Sequence, residues 1–396
     1  MLSGGKFLQE FLQAILEQTK QQGLYRSLYT LKSPAEPVVT IGNGNLIHFS
    51  SNNYLGLSIH PELKKAAHEA IEKYGVGSGA SRLIAGNLEL YEKLEERLSQ
   101  FKRTQAALVF PTGYQANVGV ISSLMGEEDV IFSDALNHAS IVDGCRLSRA
   151  KVIVYPHRDL DTLEKLIKTA PPARNRMIIT DGVFSVDGTV APLPGLVNLA
   201  QKYNCWLMVD EAHATGVWGK QGRGTAEHFG VEEEVDIQMG TFSKALGSLG
   251  GYIAGSKILI NFLINKSRSL IYTTGLPPAV LATNLKAIEL VEKGDNLRKD
   301  LWERVNFFRR ELNKLGFNTF SSEAQIIPVI IGDEGKTMEF SRYLFTRGVL
   351  AWGLRPPTVP PGLSRLRVSI MATHSWEDLQ FGLKVFEEAG KKFGII

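Results

Sequence analysis

The stretch Cys205-Trp206-Leu207-Met208-Val209-Asp210-Glu211-Ala212-His213 decides the fold. Its first five residues form an apolar run with no alternation, which reads as a strand buried on both faces. The run then stops at a carboxylate. Comparable runs occur at Ala106–Phe110, Val130–Phe132, Val152–Tyr155, Met177–Thr180, Ile237–Met239 and Tyr252–Ala254. Between most of them lie amphipathic stretches such as Asp161–Lys168 and Leu193–Tyr203. Near-continuous apolar strands separated by helices predict an α/β fold with a large, mainly parallel, seven-stranded sheet covered on both faces. From about Pro277 the pattern changes. Two helical stretches, through Val291 and over Asn296–Leu315, precede the short runs Ile326–Ile331, Val349–Leu354 and Arg365–Ile370. Helices with a small antiparallel sheet predict a separate C-terminal α+β domain. The expected division is a large domain over 46–285 and a small one over 286–396, with segment 1–45 packing on the latter.

Downstream of the opening stretch, Gly240-Thr241-Phe242-Ser243-Lys244-Ala245-Leu246-Gly247 places a lysine among small residues. A lysine amine following a strand that ends in a carboxylate is the pair that pyridoxal 5'-phosphate (PLP) requires. The amine bonds the aldehyde carbon, and a carboxylate such as Asp210 keeps the ring nitrogen protonated. The remaining contacts of such a cofactor have candidates at successive strand ends. Pro111-Thr112-Gly113-Tyr114 turns from a strand into a helix, whose free N–H groups and dipole suit a phosphate. Taken alone, that turn would be an ordinary strand-to-helix connection. Thr241 can offer its hydroxyl to the same phosphate. His138, in Asn137-His138-Ala139-Ser140, suits stacking on the ring, or simply a hydrogen-bonded helix start. His213 and Ser185 can reach the phenolic oxygen, although Ser185 also reads as a turn serine. Carboxyl ends of successive strands are where open α/β sheets carry their sites.

Composition narrows the function classes. A net charge of +3 over 396 residues, without a basic run, gives no support to nucleic-acid binding. Met1–Lys20 interleaves Phe7, Phe11, Leu12, Ile15 and Leu16 with Gln and Glu, which predicts an amphipathic helix rather than a signal peptide. No segment has the length of apolar residues that a membrane span needs, so a cytoplasmic protein is expected. Cys145 and Cys205 are too few and too isolated for a metal site. Gly332-Asp333-Glu334-Gly335-Lys336-Thr337 ends like a nucleotide-binding loop, but the required earlier glycine is replaced by Ile330. Gly75-Val76-Gly77-Ser78-Gly79 resembles a dinucleotide fingerprint, yet a helical stretch precedes it where a strand is needed.

Several further segments carry a resemblance. Asn52-Asn53-Tyr54-Leu55-Gly56-Leu57, Gly77-Ser78-Gly79-Ala80-Ser81-Arg82, Asn137-His138-Ala139-Ser140, Asp181-Gly182-Val183-Phe184-Ser185, Asp210–Gly216, Thr241–Lys244 and Arg365-Leu366-Arg367 occur in order. Together they make the chain resemble the α-oxoamine synthases, of PLP-dependent fold type I, over essentially its whole length. The resemblance implies an acyltransferase that joins a small amino acid to an acyl-CoA, releasing CoA and, in most members, CO2. It implies a homodimer with a shared active site, in which Thr273 or Thr274 reaches the neighbouring subunit's PLP phosphate. Lys244, Asp210, His213 and His138 would be the catalytic set. Arg367 would bind the amino acid's carboxylate, for which a planar guanidinium is suited, and Asn53 would assist there. Glu211, where many relatives carry Asp, is a mild departure.

Leu354-Arg355-Pro356-Pro357-Thr358-Val359-Pro360 is similar to the biotin-pathway members, which condense L-alanine with pimeloyl-CoA or a pimeloyl carrier protein. Ser81 also fits the alanine substrate. Ser133–Gly144 and the stretch around Ile326–Val329 instead resemble members that join glycine to acetyl-CoA. The alanine activity is the preferred expectation, with the glycine activity or both as alternatives. Arg26 would meet the acyl donor or its distal carboxylate, or would be an exposed arginine on a terminal segment.

Overall fold

The computed structural model describes residues 6–396. Its centre is a seven-stranded sheet with the strand order Ala106–Phe110, Gly251–Gly255, Ile237–Thr241, Trp206–Asp210, Arg176–Asp181, Val130–Asp134, Lys151–Tyr155. Gly251–Gly255 runs antiparallel to both neighbours, and the remaining pairings are parallel. All the apolar runs of the central region are strands of this sheet, with ends displaced by a residue or two. The reason is burial on both faces. Ile178, Leu207 and Val209 face one helical layer, whereas Met177, Ile179 and Met208 face the other. Local signals start the covering helices: the side chains of Thr112, Asp159 and Ser256 each accept a backbone N–H from the first turn.

The C-terminal region holds a three-stranded antiparallel sheet ordered Ile326–Gly332, Ser364–Ser369, Trp352–Leu354. The run Val349–Leu354 is therefore not one strand. Val349–Leu350 pairs in parallel with Gly44–His48, and the chain changes sheets at the buried Ala351. Ser50 Oγ accepts the Trp352 N–H at 3.1 Å and Ser341 Oγ donates to the Ala351 carbonyl at 2.6 Å, so the switch leaves those groups satisfied. Glycine is required where strand and turn meet above the sheet. A Cβ at Gly251 would lie 2.6 Å from the Thr112 carbonyl oxygen.

The N-terminal stretch forms a helix over Lys6–Gln21, as its pattern predicts, and none of its side chains is buried within the chain. Residues 1–5 of that reading lie outside the described residues. Cys145 and Cys205 are buried and unpaired, and burial pushes their thiols up to about 12 and about 11. Among the described residues no helix is long and apolar enough to cross a membrane. None of their His, Cys, Asp and Glu side chains cluster as a metal site would need.

Candidate active site

The carboxyl ends of the parallel strands converge on a cavity of about 160 Å³. Gly113, Tyr114, His138, Asp210, His213, Thr241 and Lys244 line it, joined by Asn117, Ser140, Asp181, Ala212, Met239 and Ser243. A larger surface cleft of about 720 Å³, beside Trp206, Ile237 and Phe262, contains none of these groups.

Lys244 sits in a loop closed by its own backbone. Thr241 and Gly251 are register partners, and Phe242 N–H donates to the Gly250 carbonyl at 2.9 Å. Burial drives the lysine amine down to about 8, with Asp210 and Asp181 opposing that effect and Arg367 reinforcing it. An amine near neutrality is one that can act as a nucleophile or base.

Asp210 ends its strand 3% exposed. Its Oδ2 accepts from Asn117 Nδ2 at 2.7 Å and its Oδ1 accepts from the Ala212 N–H at 2.8 Å. These donors are neutral, and among the described residues no cationic side chain pairs with it. A buried carboxylate without a cation is costly unless the cavity supplies one. Its register partner Asp181 accepts the His138 N–H at 2.9 Å. Burial and the Asp210 charge raise the Asp181 carboxyl well above the ordinary range.

His138 is a helix start and a cavity wall at once. It caps Ala139–Ser148, with Nδ1 taking the Ser140 N–H, and burial lowers its pKa. The helix-start reading is what the structure shows, with the residue also lining the cavity. His213 is buried, and burial, followed by the Lys244 charge, places it well below the ordinary histidine range. Tyr54 Oη lies 2.7 Å from His213 Nδ1 and 3.4 Å from Arg367 Nη2. Arginine only donates. The phenol oxygen thus accepts from Arg367, and its single proton lies within reach of two acceptors, His213 Nδ1 and Asn52 Oδ1, the latter at 3.2 Å.

Beside the cavity-lining Gly113, Thr112 caps the helix Gly113–Leu124 by taking the Gln115 N–H at 3.1 Å. The first N–H groups of that helix remain without intrahelical partners. Thr241 and Ser243 hydroxyls stand alongside, 3.0 Å apart. The Thr241 hydroxyl gives its proton to the Gly250 carbonyl at 2.6 Å, so the backbone donors, the helix dipole and the Ser243 hydroxyl make the anion cradle.

The substrate candidates are less convergent. Arg367, half-buried, donates to the Ser185 carbonyl at 2.6 Å, to Ser369 Oγ at 2.9 Å and to Asn52 Oδ1 at 3.0 Å. Ser185 thus meets the site's arginine through its backbone. Asn53 holds a turn: its Nδ2 donates to Ser58 Oγ at 2.8 Å and the Ala35 carbonyl at 3.2 Å, and its Oδ1 accepts from Ser58 N–H. The asparagine beside Arg367 is Asn52. Ser81 bridges to Thr274, and Thr273 Oγ1 accepts from Gln115 Nε2 at 3.3 Å; none of the three lines this chain's cavity. Arg26 is exposed. Glu211 is wholly buried, where it caps the next turn by accepting from Thr225 N–H, Thr225 Oγ1 and Ala226 N–H, each at 2.9 Å. Tyr54 and Asp181 stood inside quoted motifs without a role, and Asn117 lies three residues past the Tyr114 turn; only the fold shows that Tyr54 touches His213, Asp181 touches His138 and Asn117 touches Asp210.

Comparison with known proteins finds relatives over the length of the chain. The family described as "Aminotransferase class I and II" matches residues 44–386. An 8-amino-7-oxononanoate synthase of Thermoanaerobacter pseudethanolicus is 50% identical over 388 residues, 98% of each chain. Serine palmitoyltransferase from S. paucimobilis, solved with a bound PLP–myriocin aldimine, superposes with a TM-score of 0.93 at 31% identity, covering 100% of both chains. The 8-amino-7-oxononanoate synthase of Francisella tularensis superposes with a TM-score of 0.77 at 28% identity, over 89% of this chain and 99% of that one. With its motifs, fold and full-length relatives in agreement, the chain belongs to the aminotransferase class I and II family, within the α-oxoamine synthases.

Proposed function

We propose that the protein is a PLP-dependent acyltransferase that condenses L-alanine with a pimeloyl thioester, pimeloyl-CoA or its carrier-protein equivalent. The products are 8-amino-7-oxononanoate, CO2 and the freed thiol, a step of biotin biosynthesis. The observation that carries this reading is the full-length, 50% identity to an enzyme of that name. The cavity fits the cofactor in charge and in shape. Asp210 is a buried carboxylate lacking a cation, which suits a protonated ring nitrogen, and the anion cradle at Gly113 suits a phosphate. His138 and the small side chain of Ala212 line the same cavity and would be available to flank the ring. Bound PLP supplies an electron sink for the pair left at the amino acid's Cα.

The chain's own residues supply the rest. Arg367 has no acidic partner among the described residues, which supports its holding the incoming carboxylate in a bidentate contact. Asn52 and the Ser185 carbonyl fix the plane of its guanidinium. Lys244, with its amine near neutrality, takes the Cα proton and returns one to the product. His213, neutral and held by Tyr54, would stand beside the cofactor's phenolic oxygen and could hydrogen-bond it. Tyr114, Thr241 and Ser243 close the phosphate end. We also infer a homodimer in which Thr273 and Thr274, which lie outside their own chain's cavity, complete the partner's phosphate site.

The test is CoA release by the PLP-loaded protein with L-alanine or glycine against pimeloyl-CoA or acetyl-CoA. Preference for alanine with pimeloyl-CoA is expected. Preference for glycine with acetyl-CoA would overturn the assignment in favour of the second activity that Ser133–Gly144 resembles.

A further inference from the structure

Two arginines stand two residues apart on the strand Ser364–Ser369, on one face of its sheet and roughly 7 Å from each other. Arg367 pairs with no carboxylate among the described residues, whereas Arg365 is paired with Asp187. The two side chains of that pair are 2% and 9% exposed. Asp187 belongs to the excursion Phe184–Thr189, which leaves the large sheet after Arg176–Asp181 and is closed at its base by a bridge between Val183 and Val190. The excursion turns at Gly188, where φ is +66° and a Cβ would run into the Ile326 carbonyl. The Gly188 carbonyl accepts the Glu323 N–H at 2.9 Å and the Ala324 N–H at 3.0 Å. A loop rooted in the large sheet thus ends against the segment that leads into the C-terminal one.

Between its root and its turn, the loop lies in step with the arginine strand. The Ser185 carbonyl accepts from Arg367 Nε at 2.6 Å, and two residues on, the Asp187 carboxylate accepts from Arg365 Nη1, two residues back along the strand. The first contact is a single backbone bond to the substrate arginine. The second is a buried charge pair, which holds geometry more than it adds stability, and whose loss would leave an unpaired guanidinium. That guanidinium would stand beside Arg367.

We propose that Asp187 is a positioning residue for the amino acid. By anchoring the loop on Arg365 it holds the Ser185 carbonyl against Arg367, and so fixes the guanidinium that receives the substrate's carboxylate. Asp187 does not line the cavity and acts only through Arg367. The inference rests on the role proposed for Arg367 above and adds what sets its orientation.

The experiment follows amine binding to the PLP-loaded protein through the change in its visible spectrum, with no acyl donor present. L-Alanine is compared with ethylamine, the same amine without the carboxylate. The proteins are wild type, Asp187→Asn and the double variant Asp187→Leu/Arg365→Met, which removes both charges and leaves neither unpaired. In both variants Kd for L-alanine should rise about tenfold, the scale of losing a hydrogen bond to a charged group, and Kd for ethylamine should stay within about twofold. In turnover the loss should appear in KM for L-alanine and not in KM for pimeloyl-CoA. Equal weakening of both amines would overturn the proposal, because it would make the loop part of the cofactor's pocket. An unchanged Kd for L-alanine would overturn it too. So would loss of the cofactor's absorbance in both variants, which would assign the pair to the scaffold. A wild type that binds L-alanine no better than ethylamine would instead overturn the reading of Arg367. Glycine and methylamine give the same contrast if glycine proves to be the acceptor, so the failures are distinguishable.

Discussion

Asp181 and Asp210 are register partners on neighbouring parallel strands, both less than 5% exposed, and they do not share the site equally. Burial and the Asp210 charge push Asp181 toward its neutral acid form. Asp210 is the carboxylate held by neutral donors and left facing the cavity. Asp181→Asn, which imitates the neutral acid, should therefore keep kcat within about fivefold of wild type. Asp210→Asn should lose about a thousandfold, the scale of removing a preorganised charge. Steady-state assays of the two variants decide the matter; equal losses would refute the division.

The Lys244 amine carries a pH prediction. Its pKa is lowered from 10.5 to about 8, chiefly by burial, so its neutral and nucleophilic form appears as pH rises through about 8. The rate at which cofactor-free protein takes up PLP should climb with pH and level off above that point. Asp210 raises this pKa, so Asp210→Asn should move the midpoint to lower pH. A midpoint near 10.5 would show that the amine is solvated. Lys244→Ala should abolish turnover.

Tyr54→Phe removes one hydroxyl and three contacts, one to Asn52 Oδ1 and the two that orient His213 and Arg367. Both residues should remain in place but lose orientation. We expect a drop of about tenfold in kcat/KM for the amino acid, with PLP affinity unchanged. A visible spectrum that shifts in Tyr54→Phe, as the His213 ring reorients, would distinguish orientation from simple loss of packing.

Glu211→Ala leaves the Thr225 N–H, the Thr225 hydroxyl and the Ala226 N–H without an acceptor. It also takes a negative charge from the surroundings of Lys102, which is 1% exposed. The expected cost is about 3 kcal/mol of stability, measured by denaturant unfolding. Glu211→Gln should cost less, because the side-chain carbonyl still accepts.

Legibility followed chemistry that is local. The parallel strands were readable because burial on both faces leaves an unbroken apolar run. Lys244, Asp210, His213 and His138 were readable because each sits at such a run's end or one turn beyond it. What escaped depends on contacts between distant segments. Asn52 and Asn53 are adjacent and identical in type, and only the turn around Ser58 determines which of them faces Arg367. Val349–Leu354 looks like one strand because nothing in its composition announces that two different sheets compete for it. Glu211 looked like a mild departure because the turn it caps begins 14 residues later.

The Thr241–Gly251 closure orders the assembly of the site in time. Joining the ends of so short a loop costs little chain entropy, so the lysine's surroundings can form while much of the chain is still searching. The Asn117–Asp210 contact must bridge 93 residues, and the Asn52–Arg367 contact 315. Contacts of that separation come late and rely on both ends of the polypeptide being home. The surroundings of Lys244 are thus inherited from nearby sequence, whereas the setting of Arg367 certifies that the whole chain has folded.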